Sequence, residues 1–210
     1  MRNKKAVILL SGGLDSIVSL AVCRKKYNIV KALHFNYGQT AVKKEITAFK
    51  NICKYYGVES SVIDLNWLAE ITDGNTEKSG SSKDYWIPNR NALFANIAAC
   101  FAEKLNCDFV IIGANKTEAE DFKDNSQDFV KAANKLFKNS TQNNVKLTAP
   151  LINSDKDEII KKAIELNVPL NLIWSCYYNE EKHCGKCPSC LLLKKALKAN
   201  NKTDLQKLLF

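Results

Sequence analysis

Five short runs, Lys5 to Leu10, Ile29 to Phe35, Ser60 to Leu65, Asp108 to Ile112 and Val145 to Thr148, are apolar and mostly rich in β-branched residues, and helix-length stretches separate them. Alternation of that kind points to βαβ units, because parallel strands need a crossover and end up buried on both faces. The expected fold class is therefore α/β, a Rossmann-like, doubly wound parallel sheet of five strands.

The intervening segments carry their own marks. A first helix is expected over Ser16 to Tyr27. From Ala41 to Tyr56, the residues Val42, Ile46, Phe49, Cys53 and Tyr56 recur at spacings of three and four, so one stripe faces the sheet, and Gly57 terminates it. Ser154 reads as the N-cap of a further helix, with Asp157 in its first turn and an end before Pro169. The stretches Thr72 to Asp84 and Asn139 to Asn144 are polar and aperiodic, and read as exposed loops, the first long enough for a lid or for disorder. Beyond Trp174 a cysteine cluster interrupts the pattern, and a helical tail begins near Ser189. The expected organisation is an α/β body over residues 1–170, with residues 171–210 an appendage packed on it.

A length of 210 residues suits one body with one core. Arg2, Lys4 and Lys5 precede only the short run Ala6 to Leu10, whereas an export signal needs roughly 7–15 apolar residues. No stretch approaches the roughly 20 of a membrane span. A cytoplasmic protein is expected. The formal charge of +9 suits anionic partners, nucleic acid among them, and equally suits ordinary solubility.

The first run ends in "LLSGGLDS", Leu9 to Ser16. A strand, a glycine turn and a helix start aim unpaired N–H groups and the positive end of a helix dipole at one point, which suits an anion, most naturally phosphate. Gly12 and Gly13 allow close approach, while Ser11 and Ser16 add hydroxyls. Asp15 would repel a bare polyphosphate, so its presence argues for magnesium between the two. A plain glycine turn with Asp15 or Ser16 as N-cap is the rival. Neither the Walker lysine nor the GxGxxG spacing is present.

Four of the eight cysteines crowd together as Cys176-x7-Cys184-x2-Cys187-x2-Cys190, with Gly185 and Pro188 inside the short gaps. Four soft ligands at knuckle spacing describe a closed structural zinc site. Iron–sulfur ligation and free thiols are the alternatives, and His183 is an alternative ligand. Cys23, Cys53, Cys100 and Cys107 are scattered through helical segments or their ends and read as small core hydrophobes.

The loop SGGLDS resembles the PP-loop of the ATP pyrophosphatases, which cut ATP between its α- and β-phosphates. With the four cysteines, "FNYGQ" (Phe35 to Gln39), "IPNRNALF" (Ile87 to Phe94), "IIGANKTEAEDFKDNS" (Ile111 to Ser126) and "TAPL" (Thr148 to Leu151), the chain is similar over nearly its whole length to the 7-cyano-7-deazaguanine synthase family. The resemblance implies an adenine nucleotide alpha hydrolase-like sheet with a zinc-binding helical appendage. It implies an ATP-dependent ligase that turns 7-carboxy-7-deazaguanine and ammonia into 7-cyano-7-deazaguanine through an acyl-adenylate and an amide.

On that resemblance Leu10, Ser11, Gly12, Gly13, Leu14, Asp15 and Ser16 hold the pyrophosphate end, with Asp15 near magnesium, and Phe35 and Tyr37 lie beside the nucleotide. Arg90 would neutralise phosphate or the substrate carboxylate, or else serve as a cap or a surface ion pair. Tyr85, Trp86 and Phe122 would stack on the deazaguanine or pack. Glu118, Glu120, Asp121 and Asp124 would take its edge or a metal, or else form a solvated face. The resemblance further implies small-molecule substrates rather than direct contact with nucleic acid, and a homodimer. Rival readings are a PP-loop enzyme acting on tRNA (a sulfurtransferase or lysidine-type ligase), a relative that stops at the amide, and a non-catalytic zinc module.

Overall fold

The computed structural model describes residues 3–71 and 86–210. Arg2, the loop expected over Thr72 to Asp84, and Tyr85 lie outside the described residues. Five parallel strands, β1 (Lys5–Leu9), β2 (Asn28–Asn36), β3 (Glu59–Asp64), β4 (Phe109–Ile111) and β5 (Lys146–Thr148), form one sheet in the order β3-β2-β1-β4-β5. The chain winds outward from β1 in both directions, so the doubly wound expectation holds, and a crevice opens beyond the strand ends beside β1, where the order reverses.

The helices are α1 (Leu14–Cys23), α2 (Val42–Tyr56), α3 (Arg90–Lys104), α4 (Lys116–Ala119), α5 (Gln127–Ser140), α6 (Lys156–Glu165), α7 (Pro188–Ala199) and α8 (Thr203–Leu209). Alternate residues of β1 serve opposite faces. Ala6 and Ile8 pack with Ile17 of α1, Phe49 of α2, Ile159 of α6 and Leu197 of α7, while Val7 and Leu9 pack with Ala98 of α3 and Phe137 of α5. Period-two alternation thus builds two cores from one strand, each driven by removing apolar area from water. The C-terminal helices belong to the first of these cores.

Several local expectations are corrected. α1 begins at Leu14 rather than Ser16, because Gly13 in extended conformation (φ −83°, ψ 172°) serves as N-cap and puts Asp15 in the first turn. α6 is capped by Asp155, not Ser154: the Asp155 carboxylate accepts from the Glu158 N–H at 2.9 Å and Glu158 answers the Asp155 N–H at 3.0 Å, a full capping box. Ser154 is instead buried, its N–H given to the Leu151 carbonyl and its own carbonyl taken by Lys116. Asn139 and Ser140 are exposed, but they close α5 rather than belong to a loop. Gly57 ends α2 at φ 66°, and along its stripe Phe49 and Cys53 are buried while Val42, Ile46 and Tyr56 are half-buried. Cys23, Cys53 and Cys107 are buried as expected, but Cys100 is exposed on α3. Among the described residues no helix is long and apolar enough to cross a membrane.

Candidate active site

Leu10 to Gly13 join β1 to α1, and Leu10, Ser11, Gly13, Leu14, Asp15 and Ser16 line a cavity of about 600 Å³ at the C-terminal edge of the sheet. Gly12 takes φ +91°, and a Cβ there would stand 2.9 Å from the Glu45 carbonyl oxygen, so both the turn and the packing against α2 require glycine. The loop is tied internally: Ser16 Oγ donates to the Gly13 carbonyl at 2.9 Å, and the Gly13 N–H donates to Ser11 Oγ at 3.2 Å. The C-terminal segment ties it from outside, the Trp174 N–H donating to the Gly12 carbonyl at 2.9 Å.

Asp15 meets a partner that sequence reading missed. Lys156, the first residue of α6, donates from Nζ to Asp15 Oδ2 at 2.6 Å and to Glu118 Oε1 at 2.8 Å. Burial pushes the Asp15 carboxyl up to about 6, the Lys156 ammonium opposing the rise. At Glu118 burial pulls the same way and most strongly, but Lys156, an Asn115 hydrogen bond and the Arg90 charge together hold that carboxyl below its ordinary value. Asp15 Oδ1 is buried with no hydrogen-bond partner, an arrangement that a cation would complete. One signal for Lys156 was available in the sequence: a cation in a helix's first turn opposes the dipole and wants a local reason.

Across the cavity, Arg90 at the start of α3 donates from Nη1 to Tyr37 Oη at 3.2 Å, and its buried Nε has no partner. No ion pair holds Arg90 among the described residues, and its side chain lies 5.4 Å from the Tyr37 ring centroid and 6.0 Å from that of Phe94, so it is not a surface salt bridge. Phe35 stacks on Phe94 at 4.2 Å and is largely core. Trp86 and Phe122 lie parallel, 5.8 Å between centroids and 7° between planes, on the cavity wall.

The acidic run divides. Glu118 faces the cavity and Asp124 is buried, accepting the Asn91 N–H at 3.2 Å, whereas Glu120 and Asp121 are exposed. Two further buried groups border the site. His34 Nδ1 faces the Leu10 carbonyl at 3.2 Å, leaving Nε2 unpartnered and 4.0 Å from Glu45 Oε2. Burial lowers His34 to about 4 and raises Glu45 to about 7, the latter opposed by a 2.7 Å hydrogen bond from Gln39. Neither residue announces itself in the sequence, because both lie inside ordinary strand and helix patterns.

The sulfur atoms of Cys176, Cys184, Cys187 and Cys190 all lie within 4.8 Å of one another, and Cys184 and Cys190 are 3.9 Å apart. A tetrahedral ion with about 2.3 Å bonds to sulfur separates its ligands by about 3.8 Å, so the donor set and its spacing fit one metal. Backbone N–H groups of Cys184 and Tyr178 point at Cys176 Sγ, each at 3.4 Å, and those of Lys186 and Cys187 at Cys184 Sγ, at 3.4 and 3.3 Å. Such N–H···S contacts favour thiolate. His183 is no ligand here: Nε2 accepts the Ser175 N–H at 3.0 Å and Nδ1 faces the Leu209 carbonyl at 3.2 Å.

A family model described as queuosine biosynthesis protein QueC matches residues 5–201. Proteins named 7-cyano-7-deazaguanine synthase are similar throughout: that of Carboxydothermus hydrogenoformans is 44% identical, covering 94% of this chain and 100% of its own. That of Methanosarcina barkeri is 41% identical over 92% and 94%. Among solved structures, a 4-thiouridine synthetase–RNA complex with bound ATP aligns at TM-score 0.57 and 21% identity, over 98% of this chain and 52% of that one. The NMN synthetase of Francisella tularensis aligns at 0.54 and 17%, over 100% and 88%. At such identities these two share a fold with the chain.

Proposed function

The chain belongs to the queuosine biosynthesis protein QueC family of ATP-dependent enzymes, and from that membership we propose the work of each part of the cavity. The reaction is ligation of ammonia to 7-carboxy-7-deazaguanine, giving 7-cyano-7-deazaguanine. A carboxylate resists attack by ammonia because it is anionic and its oxygen leaves poorly. Transfer of AMP from ATP forms a bond between a carboxylate oxygen and the α-phosphorus, and releases pyrophosphate. Ammonia then attacks the acyl carbon, and AMP departs with that oxygen, leaving the amide and one proton. Adenylation of the amide oxygen by a second ATP, followed by loss of AMP and the remaining N–H protons, leaves the nitrile.

Leu10 to Ser16 hold the departing pyrophosphate at the positive end of α1, with Gly12 making the turn and Gly13, which has no side chain, leaving room for close approach. Magnesium, which neutralises polyphosphate charge, would be held by Asp15. Asp15 and Ser16 thus serve the adenylation directly, and Arg90 faces the developing charge at the carboxylate or α-phosphate. Lys156 is a further cation at this edge. Phe35 and Tyr37 border the nucleotide, while Trp86 and Phe122 offer flat apolar surface to the deazaguanine. Residues 1–170 form the catalytic body. Cys176, Cys184, Cys187 and Cys190 hold one structural zinc ion within residues 171–210, packed on the same core. The protein works on small molecules, as a homodimer in the cytoplasm.

The observation that carries this reading is the buried Asp15 Oδ1, left unpartnered at a glycine-turned helix start that opens into the cavity. The test is incubation with ATP, ammonia and the carboxydeazaguanine, with nucleotide products and product mass both followed. AMP and diphosphate with a nitrile are expected. ADP in place of AMP would overturn the reading, and an amide as sole end product would favour the shorter reaction.

A further inference from the structure

One contact to the glycine loop comes from the cysteine-bearing tail rather than from the α/β body. The Leu14 N–H, at the first position of α1, donates to Ser175 Oγ at 3.2 Å. Ser175 Oγ also stands 3.5 Å from where a Cβ on Gly13 would lie, and Ser175 lines the cavity. A hydroxyl carries one proton and two lone pairs. Here one lone pair takes the Leu14 N–H, and the proton has no acceptor among the hydrogen bonds of the described residues. An N–H feeding an O–H whose proton is free polarises that hydroxyl toward an acceptor in the cavity.

The serine is also held from behind. Its N–H donates to His183 Nε2 at 3.0 Å, so Nδ1 carries the ring proton and faces the Leu209 carbonyl at 3.2 Å. The His183 N–H donates to that same carbonyl at 3.1 Å. The imidazole sits between Trp174 and Phe210, at 4.6 and 5.2 Å between centroids. Ser175 directly precedes Cys176 and His183 directly precedes Cys184, so two of the four cysteines fix the residues that fix this hydroxyl. Flexible surface serines lack such support.

We propose that Ser175 is a nucleotide-binding residue supplied by the tail, its hydroxyl donating to a phosphoryl oxygen of the pyrophosphate moiety at the Leu10 to Ser16 junction. The inference rests on the reading of that junction as the pyrophosphate grip. It goes beyond that reading by making the cysteine-bearing segment part of the nucleotide site instead of a remote staple. Pyrophosphate is the moiety concerned because the hydroxyl touches the loop itself, beside the positive end of α1.

The test is calorimetric titration of the metal-loaded protein with magnesium pyrophosphate and, separately, with AMP. Wild type, Ser175→Ala and Ser175→Thr are compared, and the bound metal of each is quantified. A hydrogen bond to a charged ligand is worth enough that its loss weakens binding roughly 10-fold or more. Ser175→Ala is expected to lose about that much affinity for pyrophosphate, to keep its affinity for AMP and its metal, and to be rescued by Ser175→Thr. Equal pyrophosphate affinity in Ser175→Ala would overturn the proposal. So would a parallel loss of both ligands and of metal, which would make Ser175 a prop for the tail. Failure of wild type to bind pyrophosphate would overturn the underlying reading, and the proposal with it, before any substitution is compared.

Discussion

Glu45 shows how much the site asks of a single side chain. Its carboxylate is only 18% exposed and faces a histidine nitrogen without a proton to give. Burial raises the carboxyl from 4.5 to about 7, so the folded chain keeps a proton that the unfolded chain releases between those values. Stability that Glu45 lends in acid is therefore lost as pH rises through that window, and it is fully gone above it. At 1.36 kcal/mol per pKa unit, the loss is roughly 3 kcal/mol. Glu45→Gln carries no such charge, and its amide oxygen can still accept the Gln39 hydrogen bond. Melting temperatures of the two proteins should thus coincide near pH 4 and separate by pH 8, with Glu45→Gln the more stable. A constant gap between pH 4 and 8 would show that the carboxylate is solvated after all.

At the scale of elements, the positions of strands and helices follow from side-chain period, and for that reason the sequence revealed them. Each of the five strand windows agrees with β1 to β5 to within a residue at either end; in β1 and β4 burial leaves unbroken apolar runs, whereas the edge strand β3 is mostly exposed and is marked by Val62 and Ile63 following the Gly57 stop. The glycine junction and the cysteine set were legible for a similar reason: their chemistry depends on neighbours in sequence. What escaped depends on neighbours in space. Lys156 meets Asp15 across 141 positions, and Ser175 meets Leu14 across 161, so no local pattern could disclose either. Ser154 and Asp155 both suit an N-cap by residue type, and the reciprocal Asp155–Glu158 capping box, with the Ser154 carbonyl taken by Lys116, decides for Asp155. Packing between elements also separates two glycines. A Cβ on Gly113, just after β4, would lie 3.0 Å from the Ser16 nitrogen and 3.1 Å from the Asp15 carbonyl carbon, pressing the first turn of α1. Gly57 has φ +66°, but nothing lies within 4 Å of its Cβ position. Gly113→Ala and Gly57→Ala should each cost about 1–3 kcal/mol, by overpacking and by left-handed strain respectively. Only Gly113→Ala should also weaken pyrophosphate binding. Thermal melts and titrations of both would check this, and equal binding by the two would detach β4 from the site.

For the whole molecule the question is whether the tail stands apart from the body it sits on. Leu193, Ala196, Leu197 and Leu209 share a core with Ile17, Phe49 and Ile159, and Trp174 and Ser175 bond the glycine loop directly. A tail joined in this way cannot come loose without exposing one face of the sheet and freeing the loop. Metal bound at the four cysteines should therefore stabilise the entire chain, since a ligand that binds only the folded state adds its free energy to unfolding. Losing about 5 kcal/mol on chelation would lower the melting temperature of a chain this size by roughly 10–20 °C. The transition should stay single. Hydrogen exchange should quicken along Cys176 to Cys190 and at Gly12 to Ser16 together, and the most protected amides of β1 and β2, whose Ala6, Ile8 and Ala32 share a core with the tail, should lose protection in step with the melting temperature. Two separate transitions, with loop protection and pyrophosphate affinity unchanged after chelation, would instead make the tail an independent unit. The expected functional consequence is weaker pyrophosphate binding by the chelated protein, because Trp174 and Ser175 tie the cysteine-bearing segment to the glycine loop.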